Sequence, residues 1–367
     1  MSARRSQTGF TLVELLIASM LGLFVTGIAM TSFVGHVRSA ELGQALVALQ
    51  TQARFALGEI TAGVRSAGYI GCAGSTGAVP ALPERLGVAA TPRSTWRPLD
   101  GFTVGSSVWT PAYPEGYGGS GYTPPTGGPA TPVPGSDAIL VEGGVSNGSP
   151  TSSGVAADLS VELLEPAVGL TRGALALIGD CTSVEVFQVK RLDERADGTG
   201  SVVPDQPFLE AHDLNATFPL ATRVMPYRRA LYFIGDTGRS SENGEPVRAL
   251  YEHLHPFADT VPAELADGVE AMVVRYRQRS ASGTMQELAA DAAGFDPALV
   301  VGVTVGLLIS HAGHRPPIDE RPVFNVAGIV VSSTAGAGPD HPDDSRMRRV
   351  FERSAVVRSR VESGMTP

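Results

Sequence analysis

Thirty-seven carboxylates, seven histidines and two cysteines are the side chains here with the chemistry to ligate a metal or move a proton. Their spacing offers little. His253 and His255 would share one strand face and His311 and His314 lie three residues apart, but neither pair has a third ligand near it. No H-E-x-x-H or C-x-x-C spacing occurs, so these read as surface histidines and no metal is expected. DERADGTG, residues 193–200, fails as a calcium loop because Arg195 stands at its third position and no glutamate at its twelfth. GPDHPDD, residues 338–344, reads as a solvated acidic turn able at most to hold calcium weakly. There is no nucleophile elbow, phosphate-binding loop or dinucleotide fingerprint. The expectation is a protein that is not an enzyme and needs no cofactor.

One carboxylate is out of place. Residues 8–20, TGFTLVELLIASM, are almost wholly apolar and yet contain Glu14. An ionised side chain at the centre of a membrane helix costs about 2.5–3.5 kcal/mol on insertion scales, so it needs a partner or a job.

The element that must position Glu14 is a helix. Residues 15–35 carry no charge and would span about 32 Å, enough for one bilayer crossing. The basic flank MSARRSQTG would stay on the cytoplasmic side, leaving the bulk of the chain outside. A secretory signal peptide would have a shorter apolar core followed by an A-x-A site, which is missing; a plain signal anchor would leave Glu14 unexplained. Leu42, Leu46, Leu49, Ala53, Ala56, Ile60 and Val64 then recur at spacings of three or four, with no proline before Pro80. The pattern predicts one helix of roughly 55–60 residues, its second half laid against a globular body.

Net charge is −9, which argues against a nucleic-acid partner. Lys190 is the only lysine, so arginine carries the positive charge, a compositional habit rather than a site. Residues 73–135 show no lasting periodicity and hold eleven prolines between Pro80 and Pro134. They read as a tolerated insertion or as a partner-binding loop around Tyr113, Tyr117 and Tyr122. Strand-like runs follow at 137–142, 174–181, 183–192, 229–236, 247–254, 269–278, 299–310 and 323–331, with a last strand near Val350–Val357. Residues 229–254 read as a hairpin, and Val269, Met272 and Val274 as inward-facing, with Arg275 and Arg277 outward. One helix on an antiparallel sheet is an α+β fold. Cys72 and Cys181 read as a disulfide if the body is exported, and as two separate thiols if it is not.

The short basic leader, Gly9, Phe10 and TLVELLIA, with Glu14 fifth after Gly9, resemble the type IV prepilin signal. Later stretches, RSAGYIGC, GDCTSVEVFQV, DGVEAMVVRYR and DSRMRRVFERSAVVRSRV, resemble the PilW family of large minor pilins, although 73–135 is unmatched and the ending VRSRV departs from the family's usual form. The resemblance implies cleavage by a prepilin peptidase between Gly9 and Phe10, N-methylation of Phe10, and pairing of Glu14 with a neighbouring subunit's terminal amine. It implies a leader at 1–9, a filament-core helix at 10–35, its amphipathic continuation at 36–67 and a β-rich pilin domain at 137–367; the Gly/Pro-rich loop region between them, 68–136, is read from composition. The body would be periplasmic before reaching the pilus, making Cys72–Cys181 a disulfide. Implied partners are the major pilin, other minor pilins, the inner membrane and a tip adhesin. A minor pseudopilin of a type II secretion system shares these features, and a surface ligand-binding subunit is a further alternative.

Overall fold

The computed structural model describes residues 10–71, 97–106, 109–111, 129–145, 149–155, 159–166, 168–180, 184–197, 199–206, 222–241, 244–254, 260–280, 283–314, 323–333, 339–344 and 346–359. The long helix, α1, runs without interruption over Leu12–Ser66. Thr11 caps its start, and Ala67 leaves helical geometry at its end, followed by Gly68 at φ +74°. No residue of α1 before Ala45 is buried by the body; from there Ala45, Leu49, Ala53, Ala56, Leu57, Ile60 and Val64 form the buried stripe. Leu42, expected in that stripe, is 48% exposed, so the body begins about one turn later than the periodicity implies. Each fully buried leucine, isoleucine or valine contributes roughly 1.5–3 kcal/mol, which fixes this half of α1, whereas among the described residues the half before Ala45 stays exposed.

Seventeen strands occur among the described residues: β1 (Leu99–Thr103), β2 (Thr131–Pro132), β3 (Asp137–Gly144), β4 (Ser149–Val155), β5 (Val161–Leu163), β6 (Leu175–Gly179), β7 (Val184–Glu194), β8 (Gly200–Pro204), β9 (Arg223–Ser240), β10 (Pro246–Leu254), β11 (Ala263–Asp267), β12 (Val269–Arg279), β13 (Met285–Leu288), β14 (Val300–His314), β15 (Phe324–Val326), β16 (Ile329–Val331) and β17 (Arg346–Val356). The expected α+β class holds, with α1 on antiparallel sheets.

Strand β9 is the spine of an eleven-stranded sheet. One half of it pairs with β3 and β10, and the first residues pair with β4 and β6. From β4 the pairing passes through β5, β8 and β7 to β6 and back to β9, which closes six strands into a ring. Closure removes the exposed edges that would invite pairing with other chains. Val161, Leu163, Ile178, Phe187, Val202 and Val224 cluster together in this ring. A second sheet runs β13-β12-β14-β17. The α1 stripe packs with Ile139, Val141, Tyr232 and Leu250 of the first sheet and with Met272, Val274, Val305 and Leu307 of the second.

Two sequence expectations change. Residues 323–331 form the hairpin β15–β16, not one strand, because Ala327 and Gly328 both take positive φ in a two-residue turn. This hairpin covers Ala271, Val273 and Leu308, so β12 is buried on both faces while Val269, Met272 and Val274 point inward as expected. The Gly/Pro-rich region 68–136 also contributes β1 and β2, whose burial comes from pairing with β3 and β9.

The end of α1 is stitched to β3. Gly68 N–H donates to Glu142 O at 2.9 Å, and Gly144 N–H donates to Tyr69 O at 2.7 Å. A Cβ on Gly143 would stand 2.4 Å from Ser66 O, so only glycine permits this approach. From the far end of the chain, Ser359 Oγ donates to Ala67 O at 2.8 Å.

Candidate functional site

Glu14 sits in the first turn of α1 and closes a reciprocal cap with Thr11. Its Oε2 accepts from Thr11 N–H at 3.1 Å and from Thr11 Oγ1 at 3.0 Å, while Glu14 N–H donates to Thr11 Oγ1 at 3.3 Å. Such a box satisfies donors that a helix start otherwise leaves open. The T-x-x-E spacing that encodes it was legible, and sequence reasoning passed over it. Around the cap, Phe10, Leu12, Val13, Leu15, Leu16 and Ile17 are all exposed. The arrangement is a carboxylate at the tip of a helix whose apolar surface stays exposed among the described residues. By length and composition this helix can cross a membrane.

The body carries its own polar joints, which orient α1 by fixing the two sheets together. Ser136 Oγ accepts from Met272 N–H at 3.0 Å and donates to Met272 O at 3.3 Å. Next to it, Asp137 accepts from Val274 N–H at 2.8 Å and from Thr103 Oγ1 at 2.9 Å. Burial pushes the Asp137 carboxyl up from 3.8 to about 6, against the two hydrogen bonds that favour its ionised form. Asp100 rises to about 6 for the same reason, and the nearby Asp296 adds to the shift while Arg97 and Arg229 oppose it.

A second joint is ionic. Glu270 receives Arg348 at 2.5 and 3.1 Å and lies 3.4 Å from Arg346. Asp344 receives Arg346 at 2.5 Å and Arg348 at 2.6 Å, and Asp340 lies 2.9 Å from Arg248. Burial would raise the Asp344 carboxyl, but the Arg346 N–H and the two guanidiniums hold it below its ordinary value. GPDHPDD is therefore an arginine-bound strap and not the solvated turn expected, since partners up to 92 residues away reach its described residues.

The remaining candidates separate as follows. His253 is buried with Nε2 2.9 Å from Thr260 O, contrary to the surface position expected. In DERADGTG, Asp193 and Glu194 end β7 and Gly200 begins β8; between them Arg195 pairs with Glu162 at 2.6 Å and Asp197 accepts from Thr199. Among the described residues no group of three or more His, Cys, Asp or Glu is placed to hold a metal. Gly9, Cys72, Cys181, His255, Tyr113, Tyr117 and Tyr122 lie outside the described residues.

A long N-terminal helix with an exposed apolar first half and a sheet-packed second half is a pilin-like α+β architecture. A family model described as the prokaryotic N-terminal methylation motif matches residues 4–30, which supports a type IV pilin-like or pseudopilin protein. That motif implies processing by a prepilin peptidase and assembly with other pilins, and with the apolar helix it fits anchorage in the inner membrane. Compared with curated proteins and with solved structures, the chain matches none.

Proposed function

We propose that this protein is a minor pilin of a type IV pilus, joining or priming the filament with other minor pilins near its tip, where it contacts the major pilin and a tip adhesin. It acts by packing and registry, without catalysis. The observation that supports this is the position of Glu14: one carboxylate, five residues after Gly9, on a helix half whose apolar surface is exposed among the described residues. Cleavage after Gly9 would create an amine at Phe10, which is then N-methylated. Packed among apolar helices, Glu14 and a neighbour's amine are costly apart and tolerable together, so a misplaced subunit is penalised. In this reading Cys72 and Cys181 form a disulfide in a periplasmic body that later reaches the cell surface. A minor pseudopilin of type II secretion would use the same signal and helix.

The test compares processing, surface pili and protein secretion in cells carrying wild type or Glu14→Ala. Normal cleavage with lost piliation is the expected result. Lost secretion with normal pili would move the assignment to the pseudopilins, and no change in either would remove the registry role.

A further inference from the structure

Strand β17 ends the second sheet: β14 pairs with one of its edges, and no described strand pairs with the other. Its register with β14 runs without a shift from Met347 to Val356. Just beyond, Val357 N–H donates to Val301 O at 3.0 Å, which sets the phase of the ladder. In an antiparallel pair, alternate residues turn both backbone groups toward the partner and those between turn theirs away. Counting back from Val357, the backbone groups of Val350, Glu352, Ser354 and Val356 point away from β14. Among the described residues no backbone group meets them there. Proteins commonly protect such an edge with a bulge or a proline, and this stretch has neither.

The side chains decide which strand fits. Met347, Phe351 and Ala355 pack into the core beside the α1 stripe, so their row faces the helix side. Arg349 and Arg353 belong to the same row by the strand's period of two, and both are exposed. No described carboxylate pairs with either of them. The strand's one acid, Glu352, lies in the opposite row and accepts from Ala327 N–H at 2.6 Å. Between the two arginines, Phe351 is half-buried and offers apolar surface to a neighbour. A second copy of β17 is a poor occupant, because any two-fold pairing brings four arginines onto one seam. The arginines thus repel a like strand and favour an acidic one.

We propose that the free edge of β17 takes in an extended acidic segment of a partner protein as a further strand. A carboxylate then stands opposite Arg349, an apolar side chain opposite Phe351 and a second carboxylate opposite Arg353. Main-chain bonds to Val350, Glu352, Ser354 and Val356 supply affinity, and the acid-x-apolar-x-acid pattern supplies selectivity. That pattern reads the same in both directions, so it serves either strand polarity. The edge belongs to the body alone, so the proposal goes beyond the filament reading and stands without it.

The test uses the full chain in detergent micelles, with the fluorescein-labelled peptide TVETVTEVT as probe. Saturable binding is expected, weakening as salt screens the charges. The glutamine version TVQTVTQVT should bind at least tenfold more weakly. Two further versions carry methyl groups on alternate backbone nitrogens, one in each phase. Only one phase should lose binding, since an added strand pairs through one edge. Arg349→Glu/Arg353→Glu should lose the acidic peptide and gain the lysine version TVKTVTKVT. Ser354→Pro removes an outward N–H without touching the ladder to β14, and should also lose binding. The charge-matched control Arg277→Glu/Arg279→Glu, on β12, should bind as wild type does. All four arginines are exposed, so thermal melting of both charge variants should match wild type. No saturable binding, equal binding of the glutamine peptide, indifference to both methylation phases or equal loss in the control would each overturn the proposal. Self-association of wild type that Ser354→Pro abolishes would overturn it too, giving the edge to a second copy.

Discussion

The Asp137 carboxylate receives the backbone N–H of Val274 at 2.8 Å although the two residues belong to different sheets. Strand β12 pairs with β14 along most of its length, but β13 covers its other edge only from Tyr276 onward. Ser136 and Asp137 take the places that a further strand would have filled, which ties β3 to that edge.

This joint makes stability depend on pH in an unusual direction. Asp137 and Asp100 titrate near 6 when folded, against 3.8 ordinarily, so between those values the folded chain holds more protons than the unfolded one. Their contribution is therefore full below about pH 4 and is lost as pH rises through 6. Each group accounts for a loss on the order of 2–3 kcal/mol. Asp344, held low by its arginines, works oppositely and costs stability only in stronger acid. Urea midpoints measured from pH 4.5 to 7.5 should fall with rising pH.

Asp137→Asn should keep the joint and remove about half of that slope, leaving the share of Asp100. Its carboxamide oxygen can accept from Val274 N–H while its amide donates to Thr103 Oγ1, so both bonds survive without a titrating group. An unchanged slope in the variant would show that Asp137 does not titrate in this range.

Arg348→Met should destabilise the body by about 3 kcal/mol, since it strips the bidentate partner from buried Glu270 and one of two from Asp344. Adding Glu270→Gln should recover part of the loss. The coupling between the two sites, read from denaturant curves of the double-mutant cycle, should exceed 1 kcal/mol in magnitude.

Ala327→Gly should stabilise by roughly 0.5–1 kcal/mol, because Ala327 sits at φ +44°, where a Cβ is unfavourable. The turn is held there from both sides: its N–H donates to Glu352 at 2.6 Å and its carbonyl accepts from Arg275 at 3.1 Å. Glu352→Ala should cost about 1–2 kcal/mol, visible as a lowered melting temperature.

Gly143→Ala should loosen the end of α1 by about 1–3 kcal/mol, as the new methyl would meet Ser66 O at 2.4 Å. Hydrogen exchange at the amides of Gly68 and Gly144 should accelerate more than exchange in β14.

What the sequence disclosed depended on how local each signal was. Helix α1 was legible because its causes lie within it: a charge-free run, a three-four stripe and no proline. The strands around Leu231, Met272 and Leu307 were legible from dense β-branched and apolar residues. Strand β1, LDGFT, was not, because Asp100 and Gly101 argue against a strand until β3 supplies the pairing. The same locality limited the sites. Glu14 stood out against its neighbours, whereas Asp340, Asp344 and His253 looked like surface groups because Arg248, Arg348 and Thr260 reach them only in the folded chain. The role of Ser136 and Asp137 had no sequence signal, since a Ser-Asp pair before a strand reads as an ordinary turn.

Strand β9 belongs at once to the ring and to the sheet that carries α1. Its first residues close the ring through β4 and β6, and its later ones hold β3 and β10. Neither lobe can lose this strand without opening the other. The ring thus cannot melt as an independent unit, and damage to it is felt at the seat of the helix.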